Sequence, residues 1–332
     1  MGSTRYIMSS GELKRKDNSL LFRGGSGNHY IPIENTKEIY CMGDVSINTK
    51  LLDFLASNNV VVHFFNYYGN YSGTYYPKDK LCSGRLLVKQ VNAYDNQRMV
   101  IAKSIVHGIG DNIYEVLYHY YKHDKKEVKD TTDWIRKEFH SRVDASVKIS
   151  ELMSVEGEVW SRFYSEFKHF LPDDFTMNKR VKRPPDNPIN ALISFGNTLL
   201  YTKTISVIYH THLDQRISFL HEPSDGRFSL SLDLSEVFKP VIVYRTIFDL
   251  VNNRRIQVDK HFDKNVNYCL LNDDGRKIFV DAFEKRMESK FCNERLKRSI
   301  TYKTAIKLDC YKLIKCILEG KNFVPFSLKT NM

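Results

Sequence analysis

The sequence is poor in the residues that mark specialised protein classes. Its 332 residues include 16 glycines and 9 prolines, too few for a collagen-like or low-complexity architecture. Six cysteines are scattered along the chain, and no two have the C-x-x-C spacing. This usage argues against a zinc cluster or a disulfide framework and is typical of buried thiols in a reducing compartment.

Long apolar runs are also missing. No stretch approaches the roughly 18 to 20 consecutive apolar residues that a membrane span needs. The segment from Met1 to Tyr6 contains no apolar signal core. We therefore expect a soluble, intracellular protein without a membrane partner.

What the sequence does have is a globular composition with a basic surplus. Hydrophobic residues make up 42% of the chain, charged residues make up 27%, and the formal net charge is +11. Residues 1–79 hold 8 Lys and Arg against 7 Asp and Glu, whereas the other 253 residues hold 42 against 32. The surplus in the second part indicates a polyanionic partner, most naturally nucleic acid, although a solvated basic face without a partner has the same pattern.

Two basic clusters stand out in the second part. The first runs from Lys179 to Arg183, and the second extends from Arg286 to Lys307 around Tyr302. The first cluster directly precedes the segment that begins at Asp186, and the resemblance described below makes Lys179, Arg180, Lys182 and Arg183 the candidate DNA contacts.

The periodicity of the sequence changes near residue 80. Short apolar runs separated by turn signals, such as 19–22, 29–33 and 60–65, predict strands, and residues 48–58 predict one helix with an Asn48 cap. Long stretches with helical spacing follow from about residue 86. The expected fold is α+β, with a small N-terminal β-sheet domain at 1–79 and a larger all-α catalytic domain at 80–332.

Three segments of the helical part carry candidate chemistry. Glu156 lies beside an apolar helical stripe and precedes Gly157, a residue that is unfavourable inside a helix. The glycine indicates either the close approach of a ligand or another backbone, or a neutral accident of packing. His221 ends an apolar run at a turn, and Asp233 and Glu236 share a face if their segment is helical. One His and carboxylates from separate elements suit Mg²⁺ or Mn²⁺, which would support phosphodiester chemistry. A core histidine with two helix-capping acids is the alternative interpretation.

At these residues the chain resembles the CRISPR-associated integrase, the endonuclease/integrase subunit of CRISPR adaptation. The resemblance runs nearly end to end and is carried by segments 11–20, 155–157, 186–196, 219–223 and 232–236. Two departures are mild: Asn187 is inserted between Asp186 and Pro188, and Lys239 stands where the family usually has Arg.

The resemblance implies a site, a reaction and partners. It places the metal ligands at Glu156, His221 and Glu236, a supporting acid at Asp233, and further active-site positions at Asn190 and Tyr201. The implied reaction, part of prokaryotic antiviral defence in the cytoplasm, inserts protospacer DNA into the CRISPR array by attack of a 3′-hydroxyl on a repeat-end phosphodiester. The implied partners are double-stranded DNA (the protospacer and the repeat), a second copy of the chain paired through the N-terminal domain, and a small ferredoxin-like companion protein.

Two rival functions remain at this point. A non-catalytic DNA-binding scaffold would use the same basic face with structural acids. A metallohydrolase of a small phosphorylated substrate is disfavoured, because a small substrate does not require a cationic surplus spread over a whole domain.

Overall fold

The protein is described by a computed structural model that covers residues 3–78, 81, 83–182, 184–265, 268–293 and 296–328. It divides into two compact units, Met1–Cys82 and Ser83–Met332. The predicted order, a β-sheet part followed by a mostly helical part, is confirmed.

The first unit is built from strands and one helix. Its elements are β1 (Ser3–Ile7), β2 (Gly11–Lys16), β3 (Ser19–Gly24), β4 (Gly27–Pro32), β5 (Thr36–Cys41), β6 (Val45–Ser46), α1 (Thr49–Ser57), β7 (Val61–Phe65) and β8 (Tyr71–Tyr75). As predicted, the side chain of Asn48 caps α1, since it accepts a hydrogen bond from the backbone N–H of Leu51.

The strands of this unit form two four-stranded sheets around one core. One sheet has the order β1-β5-β7-β8 with β8 antiparallel to β7, and the other has the order β4-β3-β2-β6. Leu13 and Leu20 from the second sheet pack with Ile39 and Val62 from the first and with Leu51 of α1. The buried residues of these strands supply this shared core, and several of them belong to the short apolar runs that predicted the strands.

The second unit is dominated by helices. They are α2 (Gly84–Lys122), α3 (Lys129–Trp134), α4 (His140–Ala145), α5 (Ile149–Ser165), α6 (Pro188–Tyr209), α7 (Ser229–Lys239), α8 (Arg245–Asn252), α9 (Val258–His261), α10 (Asp273–Glu288) and α11 (Tyr302–Glu319). Within the described ranges, none of the helices combines the length and apolar character needed to cross a membrane.

Two short antiparallel hairpins interrupt the helical part, which the expectation of an all-α second domain did not include. They consist of β9 (Phe262–Asn265) with β10 (Tyr268–Leu271), and β11 (Lys290–Asn293) with β12 (Arg298–Thr301). The helix α10 ends at Glu288, and β11 begins at Lys290. Four-residue strands carry too little alternation to be recognised by period alone.

A long helix and the buried helix α6 form the frame of the second unit. The 39 residues of α2 lie against α5, α7 and α11. Most side chains of α6 are buried on all sides, as expected for a helix at the centre of a large core. These two helices position the elements that carry the candidate site.

Candidate active site

Glu156 is delivered to the site by α5. The carboxylate of Glu151 in the first turn accepts the backbone N–H groups of Val147 and Lys148, which fixes where the helix starts. Leu152 and Val159 of the apolar stripe are buried, and Glu156 lies beside that stripe. Its Oε1 accepts a 2.6 Å hydrogen bond from the indole N–H of Trp160, one turn further along.

Glu236 and Asp233 are delivered by α7, so the segment that carries them is helical. Asp233 is fully buried, and Glu236 is 7% exposed. The ammonium of Lys239 forms an ion pair with Oε1 of Glu236. Pro240 follows directly, and because proline has no N–H, the carbonyl of Glu236 loses its helical donor. The chain continues through a π-helical turn at Pro240–Tyr244 into α8, an irregularity that is frequent at functional sites.

His221 lies in a segment without helix or strand, and Asp233 holds it. Asp233 accepts backbone N–H groups from Phe219 (2.6 Å), Leu220 (2.9 Å) and His221 (3.0 Å). Nδ1 of the His221 ring lies 2.8 Å from Oδ1 of the same carboxylate. With Nδ1 engaged in this way, Nε2 is the ring nitrogen that remains for a metal or a proton.

The charges of this group are strongly coupled. Burial raises the pKa of Glu156 to about 7, and the negative charge of Glu236 acts in the same direction. Burial by itself lowers the pKa of His221, but the hydrogen bond and charge of Asp233, together with Glu236, outweigh burial and leave this pKa above its usual value. The site therefore favours an added positive charge, whether a proton or a metal ion.

Two tyrosines, the buried Tyr244 and the partly buried Tyr164, connect the helices that carry the acids. The hydroxyls of Tyr164 on α5 and Tyr244 on the π-helical turn lie 2.7 Å apart, and the ring of Trp160 lies 5.5 Å from that of Tyr244. Burial raises the pKa of both tyrosines, so they stay neutral. This aromatic contact fixes the position of α5 relative to the end of α7.

All three predicted metal ligands line one cavity of about 580 Å³. Gly157 also lines it, and a Cβ at that position would meet no atom within 4 Å, so the close approach of another backbone is not the reason for the glycine. The lining also includes polar and basic residues, which are Asn178, Lys179, Arg180, Lys182, Asn197 and Lys239. An acidic pocket beside a basic rim is an arrangement suited to a phosphate diester and a cation.

The donors fit a divalent cation in their chemistry, although they are not closed around one. In the part of the chain that the structure describes, no three His, Cys, Asp or Glu side chains are arranged as the ligands of one metal ion. Instead Lys239 neutralises Glu236, and Trp160 donates to Glu156. Glu156 with its raised pKa, a second carboxylate at Glu236 and an imidazole oriented by Asp233 are a ligand set suited to Mg²⁺ or Mn²⁺.

Two further residues that the resemblance assigned to the active site are not among those that line the cavity. Asn190, fully buried on α6, donates to the carbonyl of Lys179 (3.1 Å) and to Asp186 (2.8 Å). The hydroxyl of Tyr201 accepts the backbone N–H of Phe228 at 3.0 Å, directly before α7. Asn190 thus holds the basic segment, and Tyr201 holds the start of the helix that carries Asp233 and Glu236.

The basic segment is partly placed at the cavity. Lys179 and Lys182 are exposed and line it. Arg180 lines it as well, but it is half-buried and donates to Oδ1 of Asn190 (3.0 Å) and to the hydroxyl of Ser194 (2.8 Å). Arg183, the fourth predicted DNA contact, lies outside the described residues.

Some residues of the site were not predicted from the sequence. Trp160 lies four residues after Glu156, and Lys239 lies three residues after Glu236, so helical spacing was a signal that could have found both. The role of Asn197 on α6 was not foreseen, because its position in the cavity depends on how α6 packs against other helices. Its amide oxygen is buried and has no hydrogen-bond partner among the described residues.

Comparisons with known proteins agree on one family. The family model described as CRISPR-associated protein Cas1 matches residues 5–285. The chain is 43% identical to a CRISPR-associated endonuclease Cas1 of Thermodesulfovibrio yellowstonii, over 97% of this chain and 98% of that protein. It is 42% identical to a CRISPR-associated protein Cas1 of Methanobrevibacter ruminantium, over 97% of each chain.

Solved structures give the same result for the fold. A Cas1 protein from Thermotoga maritima is similar with a TM-score of 0.88 and 38% identity, over 97% of this chain and 98% of that one. A casposase bound to its integration product is similar with a TM-score of 0.84 at 19% identity, over 100% and 95% of the two chains, which is a likeness of fold alone.

Proposed function

Because the chain belongs to the Cas1 family of CRISPR-associated proteins, we propose that it is a metal-dependent DNA endonuclease and integrase of CRISPR adaptation. It inserts protospacer DNA into the CRISPR array by transesterification. The observation that carries this proposal is the placement of Glu156, His221 and Glu236 on one cavity that is bordered by Lys179 and Lys182.

Glu156, Glu236 and Nε2 of His221 would hold the divalent cation. When bound, Mg²⁺ or Mn²⁺ supplies Lewis-acid stabilisation of the charge that develops on the phosphoryl oxygens. In the reaction a 3′-oxygen of the incoming DNA forms a bond to a repeat-end phosphorus as the bond from that phosphorus to the repeat strand's own 3′-oxygen breaks. The proton of the attacking hydroxyl is lost, and the released 3′-oxygen gains one, so no external oxidant or energy source is needed.

The chain's own residues orient this site. Asp233 sets the tautomer and direction of the His221 ring, and Trp160 fixes one oxygen of Glu156. Lys239 balances the charge of Glu236 before a cation binds. Lys179 and Lys182 are placed to contact phosphates of the DNA backbone, which positions the substrate without reading its sequence.

The proposal includes three partners. Double-stranded DNA binds as protospacer and as repeat, and the chain pairs with a second copy of itself through the N-terminal unit. Two such dimers act together, and a small ferredoxin-like companion bridges them. A chain of a Cas6-RT-Cas1–Cas2 complex has a similar fold, with a TM-score of 0.85 at 20% identity, and the present protein covers 36% of that chain. This likeness is one of fold alone, so the companion is part of the proposal.

A DNA-binding scaffold is the second candidate, and one observation favours it. Glu236 and Glu156 already have partners in Lys239 and Trp160, as purely structural acids would. The two functions differ in whether DNA strands are joined.

The experiment uses a labelled DNA with a free 3′-hydroxyl, a repeat-containing target and Mn²⁺ or Mg²⁺. The integrase predicts a joined product that is absent with a 3′-dideoxy end and absent when the cation is chelated. Tight DNA binding without any joined or cleaved product would reject the integrase in favour of the scaffold.

A further inference from the structure

The segment that carries His221 has no regular structure of its own. Residues 210–228, between α6 and α7, contain only turns and bends. A histidine in such a segment keeps a fixed direction only if side chains from other elements hold the surrounding backbone. Asp233 supplies this support from α7, as described above.

A stripe of α2 holds the same segment through different atoms. Gln90, Tyr94 and Arg98 are spaced four residues apart and therefore lie on one face of the helix. Gln90 is fully buried, donates to the carbonyls of Asp214 (2.9 Å) and Ile217 (3.0 Å), and accepts the N–H of Asp214 (3.0 Å). The start of the segment is thereby attached to α2.

Arg98 holds the part of the segment that directly surrounds His221. Its Nε donates to the carbonyl of Phe219 at 2.9 Å, and its Nη2 donates to Oε1 of Glu222 at 2.6 Å. Its Nη1 donates to the hydroxyl of Tyr94 at 2.9 Å, and that hydroxyl donates to Oε2 of Glu222 at 3.2 Å. The guanidinium thus bridges the residues at positions −2 and +1 relative to His221.

Phe219 shows how the two supports combine. Its N–H donates to Asp233 of α7, and its carbonyl accepts from Arg98 of α2. The backbone two residues before His221 is therefore fixed from both sides. The Arg98 side chain is 18% exposed and does not line the cavity, so it has no direct access to a substrate there.

We propose that Arg98 is a positioning residue for His221, which it aligns by clamping Phe219 and Glu222 from the α2 side. This inference rests on the proposed function, in which Nε2 of His221 is used. A planar guanidinium supplies donors in fixed directions, so a lysine reproduces one of the two clamping bonds but not both.

The test compares Arg98→Met, Arg98→Lys and wild type in DNA joining with Mn²⁺. We expect kcat to fall about 10- to 100-fold for Arg98→Met, with KM for DNA nearly unchanged and partial recovery in Arg98→Lys. Arg142→Met is the matched control, because Arg142 also makes a 2.6 Å bond to a glutamate, Glu158, on the exposed surface. An unchanged kcat in Arg98→Met, or a loss confined to KM, would overturn the proposal.

A second readout does not depend on activity. In metal-free protein with labelled histidine, the nitrogen and proton resonances of the His221 ring report its bond to Asp233. We expect Arg98→Met to shift or broaden these signals while Arg142→Met leaves them unchanged. If wild type joins no DNA and this shift is still seen, the proposed function fails and the positioning role stands. Identical His221 signals in Arg98→Met and wild type would contradict the positioning role.

Discussion

The carboxylate of Asp233 binds His221 twice, through the backbone N–H at 3.0 Å and through Nδ1 of the ring at 2.8 Å. Because the same carboxylate also accepts the N–H groups of Phe219 and Leu220, this buried acid holds both the ring of His221 and the backbone that precedes it. The site is thus organised by a residue that lies under His221 and does not line the cavity.

Replacing this acid tests that dependence. Asp233→Asn introduces an NH₂ group that faces backbone donors, so we expect a loss of about 2–4 kcal/mol in the free energy of unfolding. We also expect about a 10- to 100-fold loss of DNA joining, because the tautomer of His221 is no longer fixed. Chemical denaturation and a joining assay measure the two effects. Asp225→Asn, an exposed acid of the same segment, is the control and should match wild type in both assays.

The raised pKa of Glu156 predicts a pH-dependent stability of the metal-free protein. A carboxyl with a raised pKa binds its proton more tightly in the folded state, so its stabilising contribution is complete below the ordinary value of 4.5 and is lost as the pH rises to about 7. Glu156→Gln does not have to ionise a buried carboxyl, so its free energy of unfolding at pH 8 should be about 2 kcal/mol higher than that of wild type. At pH 4 the two proteins should have equal free energies of unfolding.

Thermal or urea unfolding at the two pH values checks this expectation. Glu158→Gln on the same helix is a matched control with the opposite sign, since hydrogen bonds from Arg162 and Arg142 lower the pKa of Glu158 even though burial raises it. If Glu156→Gln were no more stable than wild type at pH 8, the raised pKa of the buried Glu156 carboxyl would be refuted.

How much of this site is visible in the sequence depends on distance along the chain. The helical face of Asp233 and Glu236, and the cap at Asn48, follow from local spacing, and both are found in the structure. The pairing of His221 with Asp233 does not follow from local spacing, because the two residues are 12 positions apart and belong to an irregular segment and a helix. The contact between the hydroxyl of Tyr201 and the backbone N–H of Phe228 is not visible in the sequence either, because only the packing of α6 beside α7 determines it.

The ion pair between Lys239 and Glu236 predicts that the lysine opposes binding of a cation at this carboxylate. Lys239→Met removes a positive charge that is paired with this carboxylate, so we expect Mn²⁺ to bind about tenfold more tightly. Lys239→Arg keeps the charge and should stay near the wild-type affinity. Isothermal titration calorimetry with Mn²⁺ measures all three proteins, and equal affinities for Lys239→Met and wild type would show that the ion pair does not oppose metal binding.

The basic rim of the cavity predicts a salt-sensitive affinity for DNA. Lys179→Glu combined with Lys182→Glu should weaken DNA binding and reduce the slope of log affinity against log salt concentration by about 2, since two phosphate contacts are lost. Metal affinity should not change. Lys321→Glu, a change at an exposed lysine that is paired with Glu319, is the control. An unaltered slope in the double variant would remove this segment from the DNA path.

The most direct test of the central claim is strand joining by wild type, Glu156→Ala and His221→Ala with Mn²⁺, on one labelled DNA and with dimerisation measured in parallel. The metal-dependent integrase predicts joined product for wild type, no detectable product for either variant, and unchanged dimerisation in all three. Joining at the wild-type rate by either variant would exclude the altered residue from the site and contradict the account.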